Sequence, residues 1–263
     1  MSKSISFNSY SLQTTNWHTR DIIYRNMPAK TLDLEPLVRR DGFRTINTYY
    51  VDKDIEISGT VTYDTEADLL AGVTAMKKAL SVTEANLDID DGGTTVRWVA
   101  TVSSISIPEQ HYHITRLPYS IVFKCQPFGK KTTSTTSTNS IVNTSSATNS
   151  VVVAGSAVPR PVVTWTVSGT PSSAITVIAF TNNTTSDTFS VSGLSLVGDG
   201  DYLELDTENM TVVYNTGSGE VTTDFTGVIP DFVTSTNSYT TVLTGGGATK
   251  TISQSIVYYE SYL

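Results

Sequence analysis

The stretch Ile55–Leu80, IEISGTVTYDTEADLLAGVTAMKKAL, changes its hydrophobic period once, and that change limits what the chain can become. Ile55, Ile57, Val61 and Tyr63 alternate with other residues at the period of a half-buried strand, and Gly59 stands in the same row. Beyond Asp64 the apolar residues Leu69, Val73, Met76 and Leu80 fall within a narrow arc of a 3.6-residue helix. Asp64 or Thr65 can cap its start. Glu66 and Asp68 in the first turn, and Lys77 and Lys78 near the end, suit the two poles of the helix dipole. Gly72 and Ala79 flank the arc and let the helix lie close to what it covers. Burying the four-residue stripe contributes at most about 6–10 kcal/mol gross. No other stretch carries this pattern. The first half is therefore expected to be a β-barrel or strongly curled sheet with one helix laid across it.

The flanking sequence supplies the other strands. Residues 5–25 read as a first strand pair, and Ala29–Tyr50 as a long segment sparse in apolar residues that holds Arg39, Arg40 and Arg44 and the turn Asp41-Gly42. Asn86–Ile89 leads through Asp90-Asp91-Gly92-Gly93 into Val96, Trp98, Ala100 and Val102, and His113–Phe123 makes the return strand. Lys130–Ser140, KKTTSTTSTNS, reads as a polar linker, which places a domain boundary between residues 131 and 132. Beyond it, eight or so short strands from Val151 to Tyr259, separated by Gly- and Asn-rich turns and without a helix, predict a β-sandwich.

Charge separates the two halves. Residues 1–131 balance fifteen cations against fifteen acids, whereas residues 132–263 hold only Arg160 and Lys250 against ten acids. Such a second half is unsuited to clamping phosphates. Cys125 lies among Ile121, Val122 and Phe123 and reads as a buried, inert thiol, with no disulfide possible within the chain. MSKSISFNSYSL lacks the apolar core of a signal peptide, and no run reaches membrane-spanning length. The sequons at Asn143, Asn182, Asn183 and Asn209 then read as chance in a Thr-rich chain.

Catalytic patterns are sparse. His111 and His113 share one strand face without further Cys or His ligands nearby, and His18 stands apart. There is no G-x-S-x-G elbow and no glycine-rich phosphate loop. Asp88, Asp90 and Asp91 lack the spacing of a calcium loop. Asp199, Asp201, Glu204 and Asp206 offer carboxylate pairs but read better as turn acids on a solvated edge. Trp165, alternating with Val163 and Val167, is expected in the sandwich core. No enzyme, cofactor or metal site is expected.

Several motifs together resemble the distal tail protein family of long-tailed bacteriophages. Arg40-Asp41-Gly42 precedes the strand KDIEISG at Lys53–Gly59 and then the helix, and YSIVFKCQPFG at Tyr119–Gly129 resembles the strand that closes that family's barrel. GDYLELD at Gly200–Asp206, followed by Val212 and Val213, and GVIPDF at Gly227–Phe232 with Asn237, resemble parts of its second domain. Val257–Leu263 matches a terminal strand, and Thr234-Ser235-Thr236 departs from the pattern where a glycine is expected. The resemblance implies an N-terminal β-barrel with one flanking helix and a C-terminal galectin-like β-sandwich. It also implies a homohexameric ring under the tail tube, joined to the tip or baseplate that meets the host, with DNA passing through the lumen. Partners would be further copies of the chain, the tube protein and tip proteins, without membrane insertion; the place would be the virion, after synthesis in the host cytoplasm.

The residues themselves leave three uses open. In the first, Ala29–Tyr50 reaches a neighbouring subunit, with Arg39, Arg40, Asp41 and Arg44 as inter-subunit contacts. The second is a tail-tube subunit with an extra domain. The third is an adhesin that docks cell-wall glycans on Tyr202, Tyr214, Phe232 and Tyr239. An acid-pair glycosidase is the weakest alternative.

Overall fold

A computed structural model describes residues 3–36, 43–108 and 115–263. The chain is mainly β, with a single α-helix among the described residues, and divides into two compact units, Met1–Thr132 with Tyr262–Leu263, and Thr133–Ser261.

The first unit contains β1 (Ser4–Phe7), β2 (Tyr10–Ser11), β3 (Trp17–Ile23), β4 (Lys30–Pro36), β5 (Phe43–Tyr50) and β6 (Lys53–Thr62), then α1 (Glu66–Leu80). It continues with β7 (Ala85–Asp90), β8 (Thr95–Ser106), β9 (Arg116–Cys125) and the start of β10 (Gly129–Val142). Its main sheet is antiparallel in the order β3-β6-β9-β8-β7-β1-β2. Period-two alternation places Ile55, Ile57 and Val61 of β6 beside Tyr119, Ile121 and Phe123 of β9 in one buried core. Helix α1 adds Leu69, Val73, Met76 and Leu80 to that core, while Leu70 and both lysines face outward. Thr65 is its N-cap, accepting the Asp68 N–H at 3.2 Å.

A closed barrel does not form among the described residues, because no ladder joins β2 to β3. β2 is two residues long, and side chains take over where it stops. Thr19 donates its N–H to Gln13 Oε1 at 2.9 Å and its hydroxyl to the Leu12 carbonyl at 2.8 Å, while the Leu12 N–H donates to the Ile5 carbonyl. The edges are thereby tied by single hydrogen bonds rather than paired.

The second unit runs from the rest of β10 through β11 (Ser146–Val152), β12 (Val162–Val167), β13 (Ile175–Asn182) and β14 (Asp187–Leu196). β15 (Tyr202–Asp206), β16 (Thr211–Asn215), β17 (Glu220–Thr222), β18 (Thr226–Gly227), β19 (Thr236–Gly245) and β20 (Thr251–Tyr262) complete it. One sheet has the order β17-β16-β15-β12-β20-β10 and the other β11-β19-β13-β14-β18. Their inner rows meet in a single core in which Trp165 of β12 stands edge-on to Phe180 of β13 and parallel to Phe189 of β14. The expected linker at Lys130–Ser140 is instead strand: it lies within β10, whose outer half alternates in exposure and ends on the buried Ile141. Thr, which makes up five of these eleven residues, is a good strand former, so low complexity there does not mean loose chain.

Candidate functional site

β4 and β5 form a sheet of their own, a two-stranded ribbon within the first unit. The ladder pairs Lys30 with Tyr50, Leu32 with Thr48, Leu34 with Thr45 and Glu35 with Arg44, with a bulge beside Leu34. Its base is fastened by hydrogen bonds from the Ala29 N–H to the Asp52 carbonyl and from the Val51 N–H to the Ala29 carbonyl, and by Tyr50 packing edge-on against Phe128. The long segment sparse in apolar residues is thus a paired ribbon wherever it is described.

Opposed residues of an antiparallel ladder share a face, so Leu32, Leu34 and Phe43 line one side, and the bulge brings Ile46 beside them. They are 47%, 45%, 60% and 65% exposed. The other side carries Asp33, Asn47 and the Glu35–Arg44 ion pair. A two-stranded ribbon is marginal in water by itself, and an uncovered apolar row on one face is the signature of a surface that meets something. Arg44 pairs with Glu35 inside the ribbon and stays largely exposed. Arg39, Arg40 and Asp41 lie outside the described residues, as do His111 and His113.

The four aromatics considered for glycan stacking are not brought together. Phe232 and Tyr239 are buried in the sandwich core, with the Tyr239 hydroxyl accepting from the Asn139 amide. Tyr214 pairs with the core-facing Leu203 and so lies on the inner side of its sheet, whereas Tyr202 shares the outer side with Asn215 and Glu220. No common platform exists. The carboxylates of the same region are spent on turns: Asp201 accepts the Val197 and Gly198 N–H groups at 2.8 and 2.6 Å, Asp199 that of Gly169, and Asp206 those of Glu208 and Asn209. Among the described residues no cluster of three or more His, Cys, Asp or Glu side chains could hold a metal. No helix there is long and apolar enough to cross a membrane.

Burial pushes the Cys125 thiol up to about 12, which leaves it protonated and unreactive at neutral pH. Facing it across the β6–β9 ladder is Lys53, 1% exposed, whose ammonium lies 5.5 Å from the Trp98 ring centroid and has no hydrogen-bond partner among the described residues. Sequence parity marks this position, because Lys53 alternates in step with Ile55 and Ile57; the role of the lysine was nevertheless missed. Desolvation lowers its pKa below 10.5. The unfolded chain therefore binds more protons than the folded one between the folded value and 10.5. Stability rises with pH through that window, and the cost of burying the charge is fully present below it. Lys53→Met is expected to stabilise the first unit by about 1–3 kcal/mol at pH 7. Urea unfolding at pH 7 and pH 10 checks this: the gain should shrink at the higher pH, and a destabilised variant would refute the assignment.

No protein-family model matches the chain, and no curated protein matches it in sequence. Among solved structures it matches the Dit protein (gp 19.1) of phage SPP1, described as a paradigm of the hub adsorption apparatus in phages that infect Gram-positive bacteria. The match covers 100% of both chains at 14% identity with a TM-score of 0.70. Two structures of the phage p2 baseplate in its activated conformation, with Sr and with Ca, align over 91% and 92% of this chain and 97% and 98% of theirs. Both are 8% identical, with TM-scores of 0.42 and 0.39.

Proposed function

We propose, for a chain that carries the fold of a phage adsorption-hub protein from end to end, that it is a structural component of the distal end of a phage tail. Six copies close a ring that joins the tail tube to the tip or baseplate, and DNA passes through the lumen. The curled sheet under α1 is the barrel-like, ring-forming body, and the two-sheet unit is a galectin-like domain directed toward the host-attachment machinery. The full-length likeness of fold carries this reading.

Two physical features support it. The ribbon β4–β5 presents an exposed apolar row on one face, as an assembly arm would. The second unit holds two cations against ten acids, and the first is balanced overall, so the chain lacks the excess of Lys and Arg that would hold passing DNA by its phosphates. Electron microscopy of the purified protein, alone and with the neighbouring tail proteins, should show an annulus with a channel wide enough for duplex DNA. A filament of stacked rings would favour a tube subunit instead, and a lone globule under every condition would end the proposal. Charge reversal at Arg39 and Arg40 is expected to weaken the ring while leaving the fold intact, and unchanged rings by native mass spectrometry would remove those residues from the interface.

A further inference from the structure

Between Lys131 and Arg160 the chain carries no charged side chain, and most of this stretch is strand: the outer part of β10, then β11. β11 ends the five-stranded sheet of the second unit and is paired with β19 on one side only. The Leu243 N–H donates to the Ser145 carbonyl and the Val153 N–H to the Ser235 carbonyl, which fixes the phase of that ladder. Ala147, Asn149 and Val151 therefore turn their backbone groups toward β19, and Ser146, Thr148, Ser150 and Val152 turn theirs away. At the two ends the outward groups are met locally. The Thr144 hydroxyl serves Ser146, and the Tyr258 hydroxyl donates to the Val152 carbonyl at 2.7 Å. In the middle, the N–H and C=O groups of Thr148 and Ser150 meet no other group among the described residues, and both residues are exposed. The other strands that end the two larger sheets are guarded. β2, β17 and β18 are two or three residues long, and β3 carries His18, Arg20, Asp21 and a bulge. β11 is seven residues long, in unbroken register, with neither charge nor proline. An edge of this kind is a template for a further strand.

We propose that β11 is a docking edge for an extended, uncharged segment of another tail protein, which adds a strand to the sheet through Thr148 and Ser150. The chemistry of the edge selects this occupant. N–H and C=O groups repeating along one line are matched by a polypeptide backbone, whereas a phosphate chain has no donors and a glycan lacks the strand repeat. The side chains flanking the new strand are Thr148, Ser150 and Val152 on the outer side and Ala147 and Asn149 on the inner, so small and β-branched residues fit beside them. A charged residue on the incoming strand would find no counter-ion anywhere between Lys131 and Arg160. A second copy of the chain offers the same neutral edge, but pairing edge to edge brings together two units that each hold ten acids against two cations. A strand from a protein without that acidic excess meets no such repulsion. That the occupant belongs to a tail neighbour rests on the proposed function; that the edge takes a strand does not.

The probe is an acetylated, amidated heptapeptide TVTSTVT added to the full chain, with residue-resolved amide exchange as the readout. Saturating peptide is expected to slow exchange at Thr148 and Ser150 about tenfold or more, while Ala147, Asn149 and Val151, already on the ladder, change little. The same peptide with proline at its centre should protect far less. Ser150→Pro removes an N–H that points away from β19, so the ladder survives and affinity for the peptide should fall about fivefold or more. Thr148→Lys keeps every backbone group and guards the edge with a charge, and it carries the test should far-UV circular dichroism show the proline variant unfolded. No protection at either amide, equal protection by the proline-bearing peptide, or undiminished binding by a folded variant would overturn the docking. Protection that grows with protein concentration in the absence of peptide would give the edge to a second copy and overturn the choice of occupant. With the neighbouring tail proteins in place of the peptide, the same two amides should become slow. Rings that form there with both amides still fast would overturn the docking and leave the ring reading standing, and protection without any ring would do the opposite.

Discussion

Gly59→Val is expected to destabilise the first unit by about 3–5 kcal/mol. Gly59 lies where β3 and β6 press together under the ring of Tyr119. A β-carbon there would stand 2.2 Å from the His18 carbonyl oxygen, 2.9 Å from the Thr19 α-carbon and 2.9 Å from the Tyr119 hydroxyl. Two of these three obstacles are backbone, so relief requires β3 to move away. Thr19 also holds the seam to Leu12 and Gln13 and bonds the Tyr119 hydroxyl at 2.9 Å, so that movement loosens the sheet edge together with the core contact between Trp17 and Tyr119. Urea unfolding gives the size of the loss, and hydrogen exchange should locate it in residues 17–23. Adding Tyr119→Phe should not rescue the variant, because the backbone clash persists; a rescue would place the strain on the side chain instead. Gly72 makes the contrast. The nearest atoms to a β-carbon there are those at the outer end of the Tyr63 side chain rather than backbone, and alanine gains helix propensity, so Gly72→Ala should change stability by less than about 1 kcal/mol if that ring turns aside.

That comparison also shows how far the sequence could be read. The arc Leu69, Val73, Met76 and Leu80 was legible because one buried face imposes one period, and the same is true of the rows through Ile55 and Trp165. Where burial does not impose a period, the reading failed. β4 and β5 have no core beneath them, so their apolar row is spread thinly among Thr, Asn and charged residues and looks like a loop in the sequence. β10 is strand because its backbone bonds are taken up on the ladder, which a run of Ser and Thr does not announce. That the first sheet stays open between β2 and β3, where Gln13 and Thr19 bond across instead of a ladder, rests on two side chains without any pattern. The aromatics are a different case, because parity in the sequence already marks which of them are buried. Tyr239 alternates with Asn237, Thr241 and Leu243, all buried, and an aromatic in step with such a row belongs to the core. The exposed row of β4–β5 was the least legible part, because an exposed apolar side chain becomes a signal only when the fold places four of them on one face.

Trp165→Ala should remove about 3–5 kcal/mol from the second unit, the usual range for truncating a fully buried large aromatic. Trp165 is completely buried and belongs to one sheet, while the rings it touches, Phe180 at 5.5 Å and Phe189 at 6.5 Å, belong to the other. Phe180 in turn packs on Phe232 and Tyr239, and Phe189 on Phe225, so the indole covers two groups of rings whose nearest members, Phe180 and Phe189, stand opposite each other on β13 and β14. Its Nε1 donates to Thr241 Oγ1 at 3.4 Å, and Thr241 donates to Gln254 Oε1 at 3.1 Å, a buried polar chain that links the two sheets. Phenylalanine at 165 would keep most of the contact and lose only the long first bond of that chain, at a cost of about 1–2 kcal/mol. Unfolding followed by circular dichroism, with hydrogen exchange to assign the change, should show faster exchange in β12, β13, β14 and β19 for the alanine variant and a milder effect in the same strands for phenylalanine. Equal losses for the two variants would mean that the polar chain, rather than the rings, holds the sheets together. A loss below about 1 kcal/mol for alanine would mean that the core collapses onto the vacated space and that the indole is not its keystone.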